Sequence, residues 1–318
     1  MNIGASYSTV RESDLLSHVV PLYRIDGPTD CRFWQRGVND TYRVHGADSI
    51  HSLRVYRHGL RSMSEIDFEI AALEYLHERG AGVARPIARR DGGFVSEIHA
   101  PEGPRQVIVT THAKGTEPNY DDAGNARLFG ESVAELHEFS DGFETRHARP
   151  RLDVEHLLGG SMDVIVPFLR YRPEDLAFLE DTESDLRRAV DDAGPENLDT
   201  GFCHGDCHGS NVHLDGDTLT HFDFDCCGFG LRVFELATFK WGIRGDDNED
   251  ELWSMFLEGY RSGREIGAED LALVDPFVVI RHLWWMALIM GNARDFGARA
   301  TGDEFIDNQI RRLRKMST

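Results

Sequence analysis

The chain has 318 residues, enough to bury a large apolar core, and this length favours two lobes over one. Acidic residues outnumber basic ones by 55 to 34, and the formal net charge of −21 argues against nucleic acid or an anionic membrane as a partner. The five cysteines are an odd number with no signal peptide ahead of them, which predicts a cytoplasmic protein rather than a secreted disulfide framework. A monomer or homodimer is expected, and the sequence does not choose between them.

The first part of the chain predicts short strands around one helix. The helix starts at Ser62 or Ser64 and carries Ile66, Ile70 and Leu73 at helical spacing. Alternating segments bounded by turn residues predict strands at 31–35, 41–45, 50–56, 93–99 and 106–111. The order β-β-β-α-β-β predicts a small, β-rich N-terminal lobe over residues 1–113.

The rest of the chain predicts a larger, mainly helical lobe over residues 114–318. A polar linker at 112–119 precedes it, and short strands are expected only within 201–214 and 219–224. Helical segments are expected at 126–139, in pieces over 154–193, and at 233–241, 251–260, 271–290 and 303–315. The most apolar stretch, 276–290, is too short for a membrane span and contains Arg281 and His282, so it predicts a buried helix. The fold class is α+β.

The densest polar cluster runs from His204 to Asn211, with the sequence His-Gly-Asp-Cys-His-Gly-Ser-Asn. Asp206 and Asn211 are five residues apart, the spacing of a kinase catalytic loop in which the aspartate receives the proton of the attacking hydroxyl and the asparagine binds a metal. Asp223 follows on the next apolar segment. Carboxylate and amide oxygens are the ligands that Mg²⁺ prefers. The pattern predicts Asp206 as catalytic base and Asn211 and Asp223 as magnesium ligands.

These motifs resemble those of the aminoglycoside phosphotransferase and choline kinase family, whose signature is H-G-D-x-H-x-x-N followed by D-F/W-D/E. A later helix of that family begins with an acid before Leu-Ala, and Glu235 stands there where aspartate is usual. The resemblance covers most of the chain, and the layout is similar to stress-response kinases and type II homoserine kinases. It implies a bilobal, protein-kinase-like fold that uses ATP or GTP with Mg²⁺.

The resemblance also implies nucleotide-binding positions in the N-terminal lobe. Asn39 corresponds to the turn that covers the phosphates, and Arg54 takes the place of a lysine that pairs with phosphate, with Glu69 as its helix partner. Arginine keeps the charge of lysine but has a different shape. By position alone, the hinge strand places backbone groups near adenine at Thr111, His112 and Ala113.

The acceptor remains open at this stage. A hydroxylated small molecule is expected, such as an antibiotic, amino alcohol, sugar or homoserine. Acidic residues at Asp225, Asp246, Asp247, Glu249 and Asp250 favour a cationic one, although a charge run of this kind is more often a solvated loop. Trp284, Trp285 and Met286 are expected in the core rather than in a sugar platform.

Three alternative functions also remain. The same catalytic residues would serve a Ser/Thr protein kinase. A non-catalytic nucleotide-binding protein would keep the motifs without turnover. The motif cysteines and histidines (Cys203, His204, Cys207, His208, Cys226 and Cys227) could instead form a zinc-binding module, although their spacing is not that of paired CxxC ligands.

Overall fold

A computed structural model describes residues 4–316 of the chain as two units. The first unit contains a five-stranded antiparallel sheet with strand order β1-β2-β3-β5-β4. The strands are β1 Asp30–Arg36, β2 Asp40–His45, β3 Ile50–Val55, β4 Ser96–Ala100 and β5 Gly103–Thr111. The helix Met63–Glu78 lies between β3 and β4 in sequence. The predicted order β-β-β-α-β-β is therefore confirmed.

Local sequence explains where this helix begins. The Ser62 hydroxyl accepts a hydrogen bond from the Glu65 backbone N–H at 3.3 Å, and the Glu65 carboxylate accepts one from the Ser62 N–H at 2.8 Å. This capping box satisfies two backbone donors that an open helix end leaves without partners. Ser62, one of the two predicted starts, is thus the N-cap.

Three short helical turns precede the sheet and were not predicted: Glu12–Asp14, Leu15–Val19 and Val20–Leu22. Leu15, Val19 and Val20 pack into the same buried cluster as β2 and β3 residues such as Tyr42 and Leu53. Each turn is too short for a helical period to show in the sequence. Tertiary packing, rather than local propensity, accounts for this segment.

The second unit is mainly helical. Its longer helices are Ala123–Ser140, Gly160–Leu169, Pro173–Ala193, Val233–Gly242, Glu249–Gly263, Ala268–Gly291 and Asp303–Met316. Outside the five-stranded sheet, four short strands form two two-stranded sheets, β6 Thr200–Cys203 with β9 Gly228–Leu231, and β7 Val212–Asp215 with β8 Thr218–His221. The sequence predicted strands near β6, β7 and β8 but not β9. The α+β prediction, with a β-rich N-terminal part and a mainly helical remainder, is confirmed.

The helix Ala268–Gly291, called the long helix below, runs through the core of the second unit. It is long and apolar enough by composition to cross a membrane, but 67% of its most apolar window is buried. Phe277, Ile280 and Leu283 are fully buried in the main cluster of the unit. The long helix therefore has the burial of a core helix, as its sequence predicted.

The two units do not divide the chain at a single point. The first unit runs to Gly115 and also includes Glu144–Ala148 and Thr220–Phe222. The second comprises Thr116–Phe143 and Arg149–Leu219 and resumes at Asp223. The sequence placed one boundary after residue 113 and gave no sign of the two later segments, because each is only a few residues long.

Candidate active site

The segment His204–Asn211, called the catalytic loop below, connects β6 to β7 and ends in a short 3-10 turn, Gly209–Asn211. Gly205 has a φ of +83°, and a Cβ there would overlap the carbonyl of Cys226. Gly209 lies against the ring of Tyr120, which leaves no space for a side chain. Both glycines are therefore required by the shape of the loop.

Glu235 holds the start of this loop. Its fully buried carboxylate accepts hydrogen bonds from the backbone N–H of His204 at 2.7 Å and of Gly205 at 3.1 Å. Burial raises the pKa of Glu235, and the His204 interactions lower it only in part. Glu235 was matched to the family motif but was not predicted as a site residue. Its two hydrogen bonds from the loop backbone show that it positions the loop.

Asp206 lies at the centre of the loop and is contacted by three side chains. Arg281 of the long helix donates from Nη2 to Asp206 Oδ1, Asn211 Nδ2 donates to the Asp206 carbonyl at 3.0 Å, and His208 Nε2 lies 3.6 Å from Oδ2. Burial alone would raise the pKa of Asp206, but the charge of Arg281 and the His208 hydrogen bond outweigh it and hold the pKa well below its usual range. Asp206 is thus ionised at neutral pH.

Asn211 has one amide atom suited to a cation. Its side chain is 9% exposed, and its Nδ2 group donates to Asp206. The amide oxygen is therefore the atom left to serve as a ligand for a hard cation such as Mg²⁺. The predicted pair Asp206 and Asn211 is brought together by the structure.

Asp223 follows β8 and precedes the 3-10 turn Phe224–Cys226. It is exposed and has a φ of +66°, the only non-glycine residue with positive φ in residues 4–316. The Phe224 ring lies 4.2 Å, centroid to centroid, from the ring of His204. This contact between tilted rings packs the Asp223 segment against the catalytic loop and gives buried His204 a bracing role.

A cavity of about 480 Å³ lies beside the catalytic loop, within the second unit. Asp206 and Arg281 line it, and Trp284 and Trp285 form part of its wall. Both tryptophans are partly buried and pack against the core cluster, as expected, but they also border this cavity; Met286 is fully buried. The complete lining is Glu117, Tyr120, Asp206, His208, Gly209, Ser210, Phe239, Trp241, Gly242, Ile243, Asp246, Arg281, Trp284, Trp285 and Leu288.

The acidic residues suggested for substrate binding separate in the structure. Asp246 lines the cavity, whereas Glu249 and Asp250 lie in the first turn of the helix Glu249–Gly263. Asp225 is buried, with Arg149 Nη2 at 3.9 Å from its Oδ1. Only one residue of that set, Asp246, therefore faces the cavity, where it is joined by Glu117.

In the first unit, Arg54 and Glu69 form the predicted ion pair. Arg54 Nη1 donates to Glu69 Oε1 at 2.6 Å, and the Tyr56 hydroxyl donates to Oε2 at 2.8 Å. Glu69 is 1% exposed and Arg54 more accessible, at 14% of its side chain. Arginine can therefore occupy the usual lysine position without losing the helix partner.

The other nucleotide positions are engaged within the first unit. Asn39 is buried, and its Oδ1 accepts a hydrogen bond from the Arg57 N–H at 3.0 Å. The N–H of Thr111 donates to the Arg85 carbonyl and that of His112 to the Ile50 carbonyl. The N–H groups of Thr111 and His112 are therefore engaged within the first unit, and the role of these residues in binding adenine remains a prediction.

Ala113, the last of the predicted hinge residues, is buried at 4% exposure. Its role in binding adenine remains a prediction.

The cysteines near the loop are free thiols. Cys203, Cys207 and Cys227 are buried, and burial raises the pKa of Cys203 and Cys207 well above that of an ordinary thiol. Within residues 4–316, no group of three or more His, Cys, Asp or Glu residues is arranged to hold a metal ion. The zinc alternative gains no support from this part of the chain.

Relatives of this chain include proteins with and without a known activity. An uncharacterized protein of Deinococcus radiodurans is 34% identical over 308 residues, 95% of this chain and 89% of its own. A homoserine kinase of Sinorhizobium fredii is 23% identical over 275 residues, 84% of this chain and 80% of its own.

Two solved structures share the fold. A microcompartment-associated aminopropanol kinase matches with a TM-score of 0.76 and 24% identity, covering 96% of this chain and 95% of its own. The amicoumacin kinase hAmiN, in complex with AMP-PNP, Ca²⁺ and Ami, matches with a TM-score of 0.78 and 20% identity, covering 96% of this chain and 93% of its own. The protein-kinase-like fold is thus confirmed.

The family model described as "Phosphotransferase enzyme family" matches residues 32–273. This span includes the catalytic loop, Asp223 and Glu235, so the resemblance drawn from those motifs is confirmed. The chain belongs to the phosphotransferase enzyme family and is a kinase acting on a hydroxyl group of a small molecule.

Proposed function

We propose that this kinase transfers the γ-phosphoryl group of ATP, with Mg²⁺, to a hydroxyl of a small molecule bound in the cavity beside Asp206. The observation that carries the proposal is the position of Asp206. It is a carboxylate at the wall of a cavity large enough for a small molecule, and the charge of Arg281 keeps it ionised. An ionised carboxylate can accept a hydrogen bond from the acceptor hydroxyl.

The low pKa of Asp206 indicates how it would act. A strongly acidic carboxyl is a weak base, so it orients the hydroxyl and takes the proton late rather than removing it beforehand. This suits phosphoryl transfer through a loose transition state, in which positioning and charge neutralisation supply most of the rate. A base of this kind contributes roughly 10² to 10⁴-fold.

Asn211 and Asp223 are the proposed metal ligands. When bound, Mg²⁺ neutralises charge on the transferring phosphoryl group. The hydrogen bond from Asn211 Nδ2 to the Asp206 carbonyl fixes the orientation of the amide and leaves its oxygen available to the metal. It also fixes the position of Asn211 relative to Asp206, the proposed base. The exposed Asp223 carboxylate supplies the charge that a hard cation requires.

For the nucleotide, the proposed contacts lie in the first unit. Arg54, held by Glu69, binds phosphate, and the turn containing Asn39 covers it. The segment at Thr111, His112 and Ala113 accepts the base. The related amicoumacin kinase was solved with AMP-PNP, an adenine nucleotide, which supports ATP over GTP.

The acceptor is proposed to be small and to carry an amine. Glu117 and Asp246 line the cavity with negative charge, and five aromatic residues also line it: Tyr120, Phe239, Trp241, Trp284 and Trp285. Aminopropanol and amicoumacin, named for the two structural neighbours, are consistent with a hydroxylated amine, as is homoserine, named for the relative.

A phosphotransfer panel tests the function. Mg²⁺-dependent transfer from ATP and from GTP would be measured on amino alcohols, homoserine, choline, sugars, aminoglycosides and a generic protein substrate. Asp206→Asn keeps the shape of the side chain and should lower kcat by about 10² to 10⁴-fold with nucleotide binding retained. Transfer to protein alone would indicate a protein kinase, and nucleotide binding with no transfer to any acceptor would indicate a non-catalytic protein.

A further inference from the structure

Arg281 has more hydrogen-bonding capacity than the folded chain uses. It is 2% exposed, and only Nη2 has a partner, the Asp206 carboxylate. Its Nε and Nη1 atoms are buried and make no hydrogen bond within residues 4–316. Buried donors on a charged group are costly to leave without an acceptor, and native proteins rarely do so.

The surroundings of Arg281 hold it in place without satisfying it. Its guanidinium carbon lies 4.9 Å from the centroid of the Trp241 ring and 4.6 Å from that of Trp284. Trp241 is itself fixed, because its Nε1 donates to His282 Nδ1 at 3.1 Å. Ring faces attract the cation but offer no acceptor to its N–H groups. The two tryptophans and Arg281 all line the 480 Å³ cavity.

The charge pattern of the cavity indicates the missing partner. Among the lining residues in the part of the chain that the structure describes, Arg281 is the only lysine or arginine, whereas Glu117, Asp206 and Asp246 are acidic. Three acids on the same walls disfavour a multiply charged phosphate. A molecule with one carboxylate and one ammonium group can pair its carboxylate with Arg281 and its ammonium group with the acidic residues.

We propose that Arg281 binds a carboxylate of the acceptor, so that the substrate is a small hydroxylated amino acid rather than a simple amino alcohol. This inference rests on the proposed function and adds the substrate class. One guanidinium nitrogen already contacts Asp206, so a carboxylate on the other nitrogens lies only a few bonds from a hydroxyl that Asp206 orients. The ammonium group of the same molecule faces the side of Glu117 and Asp246.

Matched acceptors that differ only in the carboxylate test this. The pairs are homoserine with its decarboxylated counterpart aminopropanol, and serine with ethanolamine. The acid of at least one pair should have a kcat/KM about 10- to 100-fold above its counterpart, as expected for hydrogen bonds to a charged group. Equal turnover, or preference for the amino alcohols, would overturn the inference and leave the proposed function standing.

Variants of Arg281 assign the preference to this residue. Arg281→Met should abolish the preference within a pair, and Arg281→Lys should keep part of it. The readout is the ratio of kcat/KM for the acid to kcat/KM for its amino alcohol. A change that acts through Asp206 alters kcat/KM for both substrates alike and leaves this ratio unchanged. Arg188→Met, an exposed arginine paired with Asp185, should leave the ratio unchanged. A ratio unaffected by Arg281→Met would count against the assignment.

A binding measurement separates this inference from failure of the function. 2-Aminobutyrate has the carboxylate and amine of homoserine but no hydroxyl. Propylamine is the same molecule without the carboxylate. Calorimetric titration should show aminobutyrate binding about 10- to 100-fold more tightly, with the difference lost in Arg281→Met. No discrimination would overturn the inference even if no acceptor were turned over, whereas discrimination without turnover would count only against the proposed kinase chemistry.

Discussion

Removing one acceptor oxygen from Glu235 should loosen the catalytic loop without changing any of the loop's own side chains. In Glu235→Gln, one of the two oxygens that receive the His204 and Gly205 N–H groups becomes an amide nitrogen. One backbone donor then faces another donor in a fully buried site.

The expected cost follows from these two hydrogen bonds. A buried donor that loses its acceptor costs about 1–3 kcal/mol. Because burial raises the pKa of Glu235, replacing the charge recovers part of this cost. We expect the free energy of unfolding to fall by about 1–2 kcal/mol in Glu235→Gln, and kcat to fall about tenfold as Asp206 is less well held. Glu235→Asp keeps both oxygens and should cost less on both counts.

Urea unfolding followed by tryptophan fluorescence measures the stability change. Four of the five tryptophans lie in the second unit, so the signal reports mainly on the unit that contains Glu235. Steady-state kinetics on the same preparations gives kcat. If Glu235→Gln matched the wild type in both stability and kcat, or were milder than Glu235→Asp, the bracing role would be refuted.

The loop glycine, a buried histidine and the first-unit ion pair each give a separate test. Gly205→Ala should destabilise the protein by about 2 kcal/mol or more, whereas Gly216→Ala, also at positive φ but in open space, should cost less; urea unfolding compares them. Burial and nearby arginines lower the pKa of His282 to about 4 from 6.5. The unfolded chain therefore binds this proton first as pH falls, and about 3 kcal/mol of stability is lost between pH 6.5 and 4. His282→Asn should remove that part of the pH dependence of unfolding, and an unchanged slope would contradict the assignment. Arg54→Met should raise the KM for ATP about tenfold, with a smaller change in Arg54→Lys; equal effects would show that charge at this position is unimportant.

Elements with a clear period or a sharp motif could be predicted from the sequence. The strands of the first unit alternate and the helices of the second repeat at helical spacing, so both were found. The catalytic loop was found because Asp206 and Asn211 are close in sequence, and their spacing has a chemical meaning. β9 was missed because it is four residues long and rich in glycine.

Arg281 could not be assigned a role from sequence because its partner is 75 positions away along the chain. A charged residue inside the most apolar helix was the available signal, and it was used only to argue against a membrane span. Trp284 and Trp285 were placed in the core for a related reason. An aromatic residue at helical spacing has the same pattern whether its ring is enclosed or borders a cavity.

The buried thiol next to Asp206 has a practical consequence. Cys207 is 1% exposed, and burial keeps its sulfur protonated in the folded chain. Alkylating reagents attack the thiolate, so the native loop should resist them while the opened loop reacts. The rate of labelling at Cys207 would then measure how often the catalytic loop unfolds locally, and ligands that hold the loop closed would slow that labelling in proportion to their occupancy.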